Sequence, residues 1–171
     1  MIRKKNLSGL KCKQGTYKYR PGIVYRLGEA YLNYAEALNE SDPGNVEILY
    51  YLNKIRERAG IRQYTTGATD ENYIHVDLND QAEMRKLIRA ERRVELSCEG
   101  IRYDDLRRWK EAENVLNGDF YGMNFSGKDP SSFYVRTPYL KRVYKKAYYW
   151  FPIHQSEMDK NDKLVQSPYW N

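Results

Sequence analysis

The chain has 171 residues, 41% of them hydrophobic and 30% charged, which suits a globular domain with a sizeable core. No apolar run approaches the ~18 residues of a membrane-spanning helix, and the charged N-terminus lacks the apolar stretch of a secretory signal. The net charge of +6 is not spread evenly: residues 1–20 hold seven Lys or Arg and no acid, leaving the remaining 151 residues near −1, so a nucleic-acid-binding basic face is not expected.

Residues 1–20 read as a basic, extended arm, and residues 21–171 as the folded domain. A first helix should begin near Pro21, with Val24, Leu27, Tyr31, Tyr34, Ala35 and Leu38 on one stripe. Ser41-Asp42-Pro43-Gly44 makes a turn. A second helix follows, with Asn45 at its N-cap, Ile48, Leu52, Ile55 and Ala59 on one face, and Gly60 at its C-terminal end. A helix with small residues, a short turn and an antiparallel partner form the unit of tetratricopeptide-like arrays. Such a unit needs stacked neighbours to bury its faces, so the end of a solenoid is expected. Residues 60–79 read as a polar surface excursion.

A third helix, capped by Asn79 or Asp80, is expected to run to about Glu99, and a fourth from Ile101 to Asn117. In the third, Met84, Leu87, Ile88, Val94 and Cys98 share a stripe that also takes in Glu91 and Glu95; in the fourth, Leu106, Trp109 and Leu116 share theirs with Arg102 and Asp105. Burying lone charges is costly, so Glu91, Glu95, Arg102 and Asp105 should form a buried ionic network with one another or with nearby arginines. Two carboxylates in different surroundings could also be a hydrolase acid/base pair. Arginines at 92, 93, 102, 107 and 108 favour the structural reading, because fixed positive charge keeps carboxylates ionised. Cys98 on its stripe reads as a buried small hydrophobe. Cys12 lies between lysines without a motif, and His75 and His154 belong to no spaced metal-ligand set, so neither metal nor cofactor is expected.

From Gly118 to Pro130, glycine, aspartate and asparagine alternate with Phe120, Tyr121, Met123 and Phe125. Rings on a loop beside Asp119 and Asn124 suit the apolar faces and hydroxyls of a sugar, so Phe120, Tyr121, Asn124 and Phe125 are the candidate ligand contacts; a loop anchored by its own aromatics is the alternative. Beyond Val135 there is no helical period, and Tyr139, Tyr144, Tyr148, Tyr149, Trp150 and Phe151 should form an irregular aromatic strap. His154, Ser156 and Glu157 in sequence order do not make a triad.

The run Glu91-Arg92-x-x-Glu95-Leu96-x-x-Glu99-Gly100-x-Arg102-x-x-Asp105-Leu106-x-Arg108-Trp109 resembles the most characteristic segment of the SusD/RagB family. Three other stretches agree: residues 25–37 from Tyr25-Arg26-Leu27 to Ala35-Glu36-Ala37, Leu52-Asn53-x-Ile55-Arg56-x-Arg58-Ala59-Gly60, and a closing segment around Phe151-Pro152-Ile153 with Gln166, Pro168 and Trp170. The resemblance implies an all-α, tetratricopeptide-like fold with long loops. It implies a non-enzymatic, outer-membrane lipoprotein that captures oligosaccharide or another nutrient for a SusC-like TonB-dependent transporter, on the cell exterior, with the charged segment structural. A helical scaffold without a sugar site of its own is the other expectation. Family members are several times longer and lipid-anchored. The chain is therefore expected to correspond to a C-terminal portion or a short homologue, since Cys12 does not fit a lipidation site.

Overall fold

The computed structural model describes residue 22 and residues 24–170. The basic arm expected at residues 1–20 lies outside them. The chain divides into two compact units, one ending at Glu95 and one beginning at Leu96, each described in turn. The architecture is mostly helical, as the sequence pattern indicates, with two small two-stranded sheets added.

In the first unit α1 (Leu27–Ser41) and α2 (Glu47–Ala59) form a helical hairpin. The turn between them contains Pro43, which cannot continue a helix, and Gly44 at φ +89°. Asn45 Oδ1 accepts the Glu47 amide at 2.9 Å, satisfying a donor that the first turn leaves open. α2 ends in a Schellman arrangement: Gly60 is left-handed, its N–H reaches the Glu57 carbonyl at 3.0 Å, and the Ile61 N–H reaches the Arg56 carbonyl at 3.1 Å. Ile48, Leu52 and Ile55 are buried, as their spacing requires.

The buried stripe of α1 is Gly28, Leu32, Ala35 and Asn39, not the more apolar one. Val24 and Leu27 are 98% and 64% exposed, and Tyr34 stays half open, its hydroxyl donating to Glu47 at 2.6 Å. The apolar-rich side of α1 thus forms a tyrosine cluster with α2, Tyr31 and Tyr34 lying 5.2 and 4.9 Å from Tyr51.

Residues 60–79 are more than a surface excursion. They contain β1 (Gln63–Thr65) and β2 (Tyr73–His75), paired in parallel. Asn53 of α2 pins β1 through both amide groups, at 2.7 Å to the Tyr64 N–H and 2.9 Å to its carbonyl.

α3 (Gln81–Glu95) starts where expected, with Asp80 Oδ1 accepting the Ala82 and Glu83 amides at 3.0 Å. It runs antiparallel to α1 along a ladder of polar contacts. Asn39 and Gln81 bond reciprocally through side chain and backbone. Glu40 takes Arg85 in a bidentate pair at 2.6 Å. Asn33 and Glu36 take the buried Arg92, and Arg26 takes Glu95. Met84 and Ile88 fill the apolar half of the contact side.

α3 stops at Glu95 rather than Glu99. Cys98 therefore leaves the helical stripe: it has φ +65°, and it is exposed rather than buried. Val94 is likewise 72% exposed.

In the second unit the expected single helix from Ile101 to Asn117 is broken into α4 (Arg102–Arg108) and α5 (Ala112–Val115). The break is at Lys110, which takes φ +60°, a conformation that neither Gly nor Pro announces in the sequence. Leu106, Ala112 and Tyr144 form the core, with Trp109, Leu116, Tyr148 and Tyr149 around it.

The expected aromatic loop is an antiparallel hairpin, β3 (Gly118–Met123) with β4 (Arg136–Arg142), closed over a short helix α6 (Pro130–Phe133). Beyond it a 3-10 turn (Lys146–Tyr149) and α7 (Gln155–Met158) make up the strap. The strap is fastened to the helices by Arg107 to the Tyr149 carbonyl at 2.8 Å, and to itself by Trp170 Nε1 to the Ala147 carbonyl at 2.9 Å and by Gln166 to both backbone groups of Ile153.

Candidate ligand-binding site

The candidate ligand contacts all lie on or beside the β3–β4 hairpin, but they do not converge. Successive strand residues point to opposite sides, so Phe120 and Tyr121 face away from each other. The register places Phe120 opposite Leu140 and Tyr121 opposite Pro138, leaving Tyr139 as an extra residue in a bulge. One side carries Phe120, Gly122, Tyr139 and Arg142. The other carries Asp119, Tyr121, Met123, Arg136 and Lys141.

On the first side, Gly122 has no side chain to fill the space over it, and the nearest neighbours there are Tyr139 and Phe125. Phe125 lies 6.4 Å from Tyr139 and 6.2 Å from Phe133, edge to face, and Phe125 and Tyr139 remain 72% and 70% exposed. Rings this open rest on one another rather than on a core. Asn124 is half-buried and works on the backbone: its amide donates to the Ser132 carbonyl at 3.2 Å and its oxygen accepts the Ser126 N–H at 3.1 Å. It sets the turn that carries Phe125. α6 is held to that turn by Asn124, whose backbone N–H also donates to the Phe133 carbonyl at 3.0 Å, and is capped at its own start by Asp129, the carboxyl of which sits below its ordinary range because Ser131 and Ser132 donate to it.

Two further rings of the hairpin each have a guanidinium group over one face. Arg136 lies 4.0 Å from the Tyr121 ring centroid and Arg142 lies 5.0 Å from that of Phe120. Tyr139, expected in the strap, lies instead on β4; it and Arg136 and Arg142 reach the candidate rings by strand pairing, and Phe133 by α6, and none of the four was among the ligand contacts expected from sequence.

The charged residues occupy both units. Glu91 receives Arg56 and the Tyr64 hydroxyl, the latter at 2.7 Å, and Tyr64 accepts in turn from Arg56 at 2.9 Å. Glu95 receives Arg26 and Arg58. These arginines come from α2 and from the residue before α1, not only from the 91–109 stretch. Burial raises the Glu95 carboxyl, but the hydrogen bonds from Arg26 and Arg58 outweigh it and hold the group below its ordinary range. A general acid needs the opposite shift. Two open grooves, of about 480 and 400 Å³, flank the strand pair, one lined by His75, Met84 and Leu87 and the other by Glu57, Arg62 and Tyr73; neither Glu91 nor Glu95 lines either. In the second unit Asp105 is 4% exposed and receives Arg108 at 2.9 Å, while Arg102 lies 5.8 Å from the Trp109 ring.

The sequence profile of the SusD family matches residues 1–170, nearly the whole chain. The chain belongs to the SusD family. Over 159 residues it is 33% identical to SusD-like protein P2 of Formosa agariphila, covering 92% of this chain and 27% of that protein. It is 34% identical over 94 residues to SusD-like protein P38 of the same organism, covering 55% of this chain and 18% of that one. Of solved structures, BT4246 aligns with a TM-score of 0.70 at 32% identity, over 90% of this chain and 24% of its own. A SusD-like protein of Bacteroides fragilis NCTC 9343 aligns with a TM-score of 0.64 at 27% identity, over 84% and 25%. The chain thus spans about a quarter or less of the curated SusD-like relatives it matches. The helical architecture is that of SusD-like proteins, and the arginine-locked carboxylates agree with a family that is generally one of binding proteins rather than catalysts.

Proposed function

We propose that this SusD-family chain contributes to non-catalytic capture of a glycan or other nutrient, and that the hairpin supplies contacts to it. The observation that carries the reading is the pair of open rings, Phe125 and Tyr139, set against each other over Gly122 with no core to fill. Flat apolar faces beside backbone and amide hydrogen-bonding groups suit a sugar ring. Phe120 and Tyr121 contribute from the two sides of the ribbon, and Asn124 acts by holding the turn. Family membership extends the proposal to the setting: delivery to a SusC-like TonB-dependent transporter at the exterior of the outer membrane, with anchoring through the longer protein.

A titration of the full chain with a panel of oligosaccharides, read by calorimetry and by intrinsic fluorescence, tests this. Phe125→Ala and Tyr139→Ala should each weaken saturable binding about fivefold or more, the loss typical of truncating an interface anchor. Binding unaffected by both substitutions places the contacts elsewhere.

A second reading is favoured by a different observation. Val24, Leu27, Val46 and Tyr50 are each more than half exposed on the α1–α2 hairpin. Exposed apolar residues at both ends of a tetratricopeptide-like unit suit packing against another protein or a further helical repeat. In that reading the chain is a scaffold, the oligosaccharide panel gives no heat, and Leu27→Glu changes the association state instead.

A further inference from the structure

Two sets of arginines among the described residues differ in what holds them. In the first unit Arg26, Arg56, Arg58, Arg85 and Arg92 each lie within ion-pair distance of a glutamate, and on α4 Arg107 and Arg108 each reach an aspartate. On the hairpin, Arg136 and Arg142 have no carboxylate partner among the described residues. Each lies over a ring instead, and Nε of Arg142 is buried without a hydrogen-bond acceptor among those residues.

A guanidinium stacked on a ring is held by its face, which leaves its edge N–H groups free in the fork geometry that matches a carboxylate or an oxyanion. The rings beneath are correspondingly unavailable for a sugar to stack on that face. The surroundings keep this charge uncompensated. Of the two hairpin carboxylates, Asp129 is engaged by Ser131 and Ser132, and Asp119 lies opposite Lys141 in the register. Residues 118–142 carry Lys128, Arg136, Lys141 and Arg142 against these two acids, a net +2.

We infer that the hairpin reads the anionic substituents of an acidic glycan, sulfate esters or carboxylates, through Arg136 and Arg142 held on Tyr121 and Phe120. The inference rests on the capture reading and narrows it: the open rings Phe125 and Tyr139 take sugar faces, Arg142 on the same side takes the charged groups those sugars bear, and Arg136 takes those that reach the other side of the ribbon.

The test is calorimetry of the full chain with dextran, dextran sulfate and polygalacturonate at low and moderate salt, with duplex DNA as a non-glycan polyanion. At least one of the two acidic polymers should bind about tenfold or more tighter than dextran and weaken as salt rises, and which of them does so identifies the substituent. R136Q and R142Q should each weaken that binding about fivefold, and R136K should recover it only in part because lysine lacks the fork. A variant with Lys4, Lys5, Lys11 and Lys13 changed to Gln should retain the preference. Equal binding of dextran and the acidic polymers, or preference lost with the arm lysines but not with R136Q and R142Q, overturns the inference while leaving capture intact. Duplex DNA binding as tightly as the best acidic glycan also overturns it. No binding of any glycan overturns both.

Discussion

Arg26 and Glu95 are joined twice: the guanidinium of Arg26 reaches the Glu95 carboxylate through Nη1 and the Glu95 backbone carbonyl through Nη2 at 2.7 Å. A cation thus closes the C-terminal end of α3, where the helix dipole favours positive charge, and fixes the chain just ahead of α1 to it. Glu95→Gln should lower stability by about 3 kcal/mol, the lower end of the range for breaking a buried ion pair, because Arg58 is still largely hydrated. A urea denaturation midpoint equal to that of the unmodified chain would mean that Glu95 is solvated.

Acid should act through the same group. A carboxyl held below its unfolded value stabilises the fold at pH values above the unfolded range, and that contribution vanishes as pH falls through the depressed folded value. The loss should therefore begin below about pH 4.3, the ordinary glutamate value. Stability measured from pH 6 downward should fall more steeply for the unmodified chain than for Glu95→Gln.

Alkali should act through Tyr64. Burial, and then the hydrogen bond to Glu91, hold its hydroxyl protonated far above the ordinary tyrosine range. Unfolded tyrosine ionises near pH 10, so stability should decline as pH rises beyond about that value. Tyr64→Phe should cost roughly 1–2 kcal/mol at neutral pH, from a lost buried hydrogen bond, and should flatten the alkaline decline. Ultraviolet titration of the phenolates provides the direct check, with one tyrosine fewer ionising in the folded variant's late phase.

Gly28 makes room for the Arg26 and Glu95 contact. A Cβ there would lie 2.5 Å from Arg26 Nη1 and 3.1 Å from Glu95 Oε1. In an open helix Gly→Ala gains about 1 kcal/mol. Gly28→Ala should destabilise the chain because it expels an arginine pinned at both ends, yet should stabilise it in an Arg26→Ala background. A double-mutant cycle by chemical denaturation separates the two effects.

The paired helices and the arrest at Gly60 were legible because turn and cap residues act locally. The inward direction of Glu91 and Glu95 was legible because they stand in phase with Met84 and Ile88, and their side chains are partly buried. Their partners were not, since Arg26, Arg56 and Arg58 lie tens of residues away and only packing brings them in. α1 misled for a related reason: its buried stripe uses Gly28 and Asn39, chosen for close approach and for pairing with Gln81, so apolar content pointed to the adjacent stripe. At the hairpin, Pro138 and the bulge at Tyr139 break the alternation that marks a strand, and a segment with its rings open to solvent looked like a loop. The break of α4 at Lys110 had no Gly or Pro to announce it.

Arg136 and Arg142 stand six apart, an even spacing that a regular strand would turn to the same side. The single inserted residue at Tyr139 shifts the phase between them, so the ribbon offers a cation to each of its two sides. Deleting Tyr139 would straighten the ladder yet leave the arginines five apart, an odd spacing that still turns them to opposite sides, so the approach to this hairpin from both sides survives loss of the bulge.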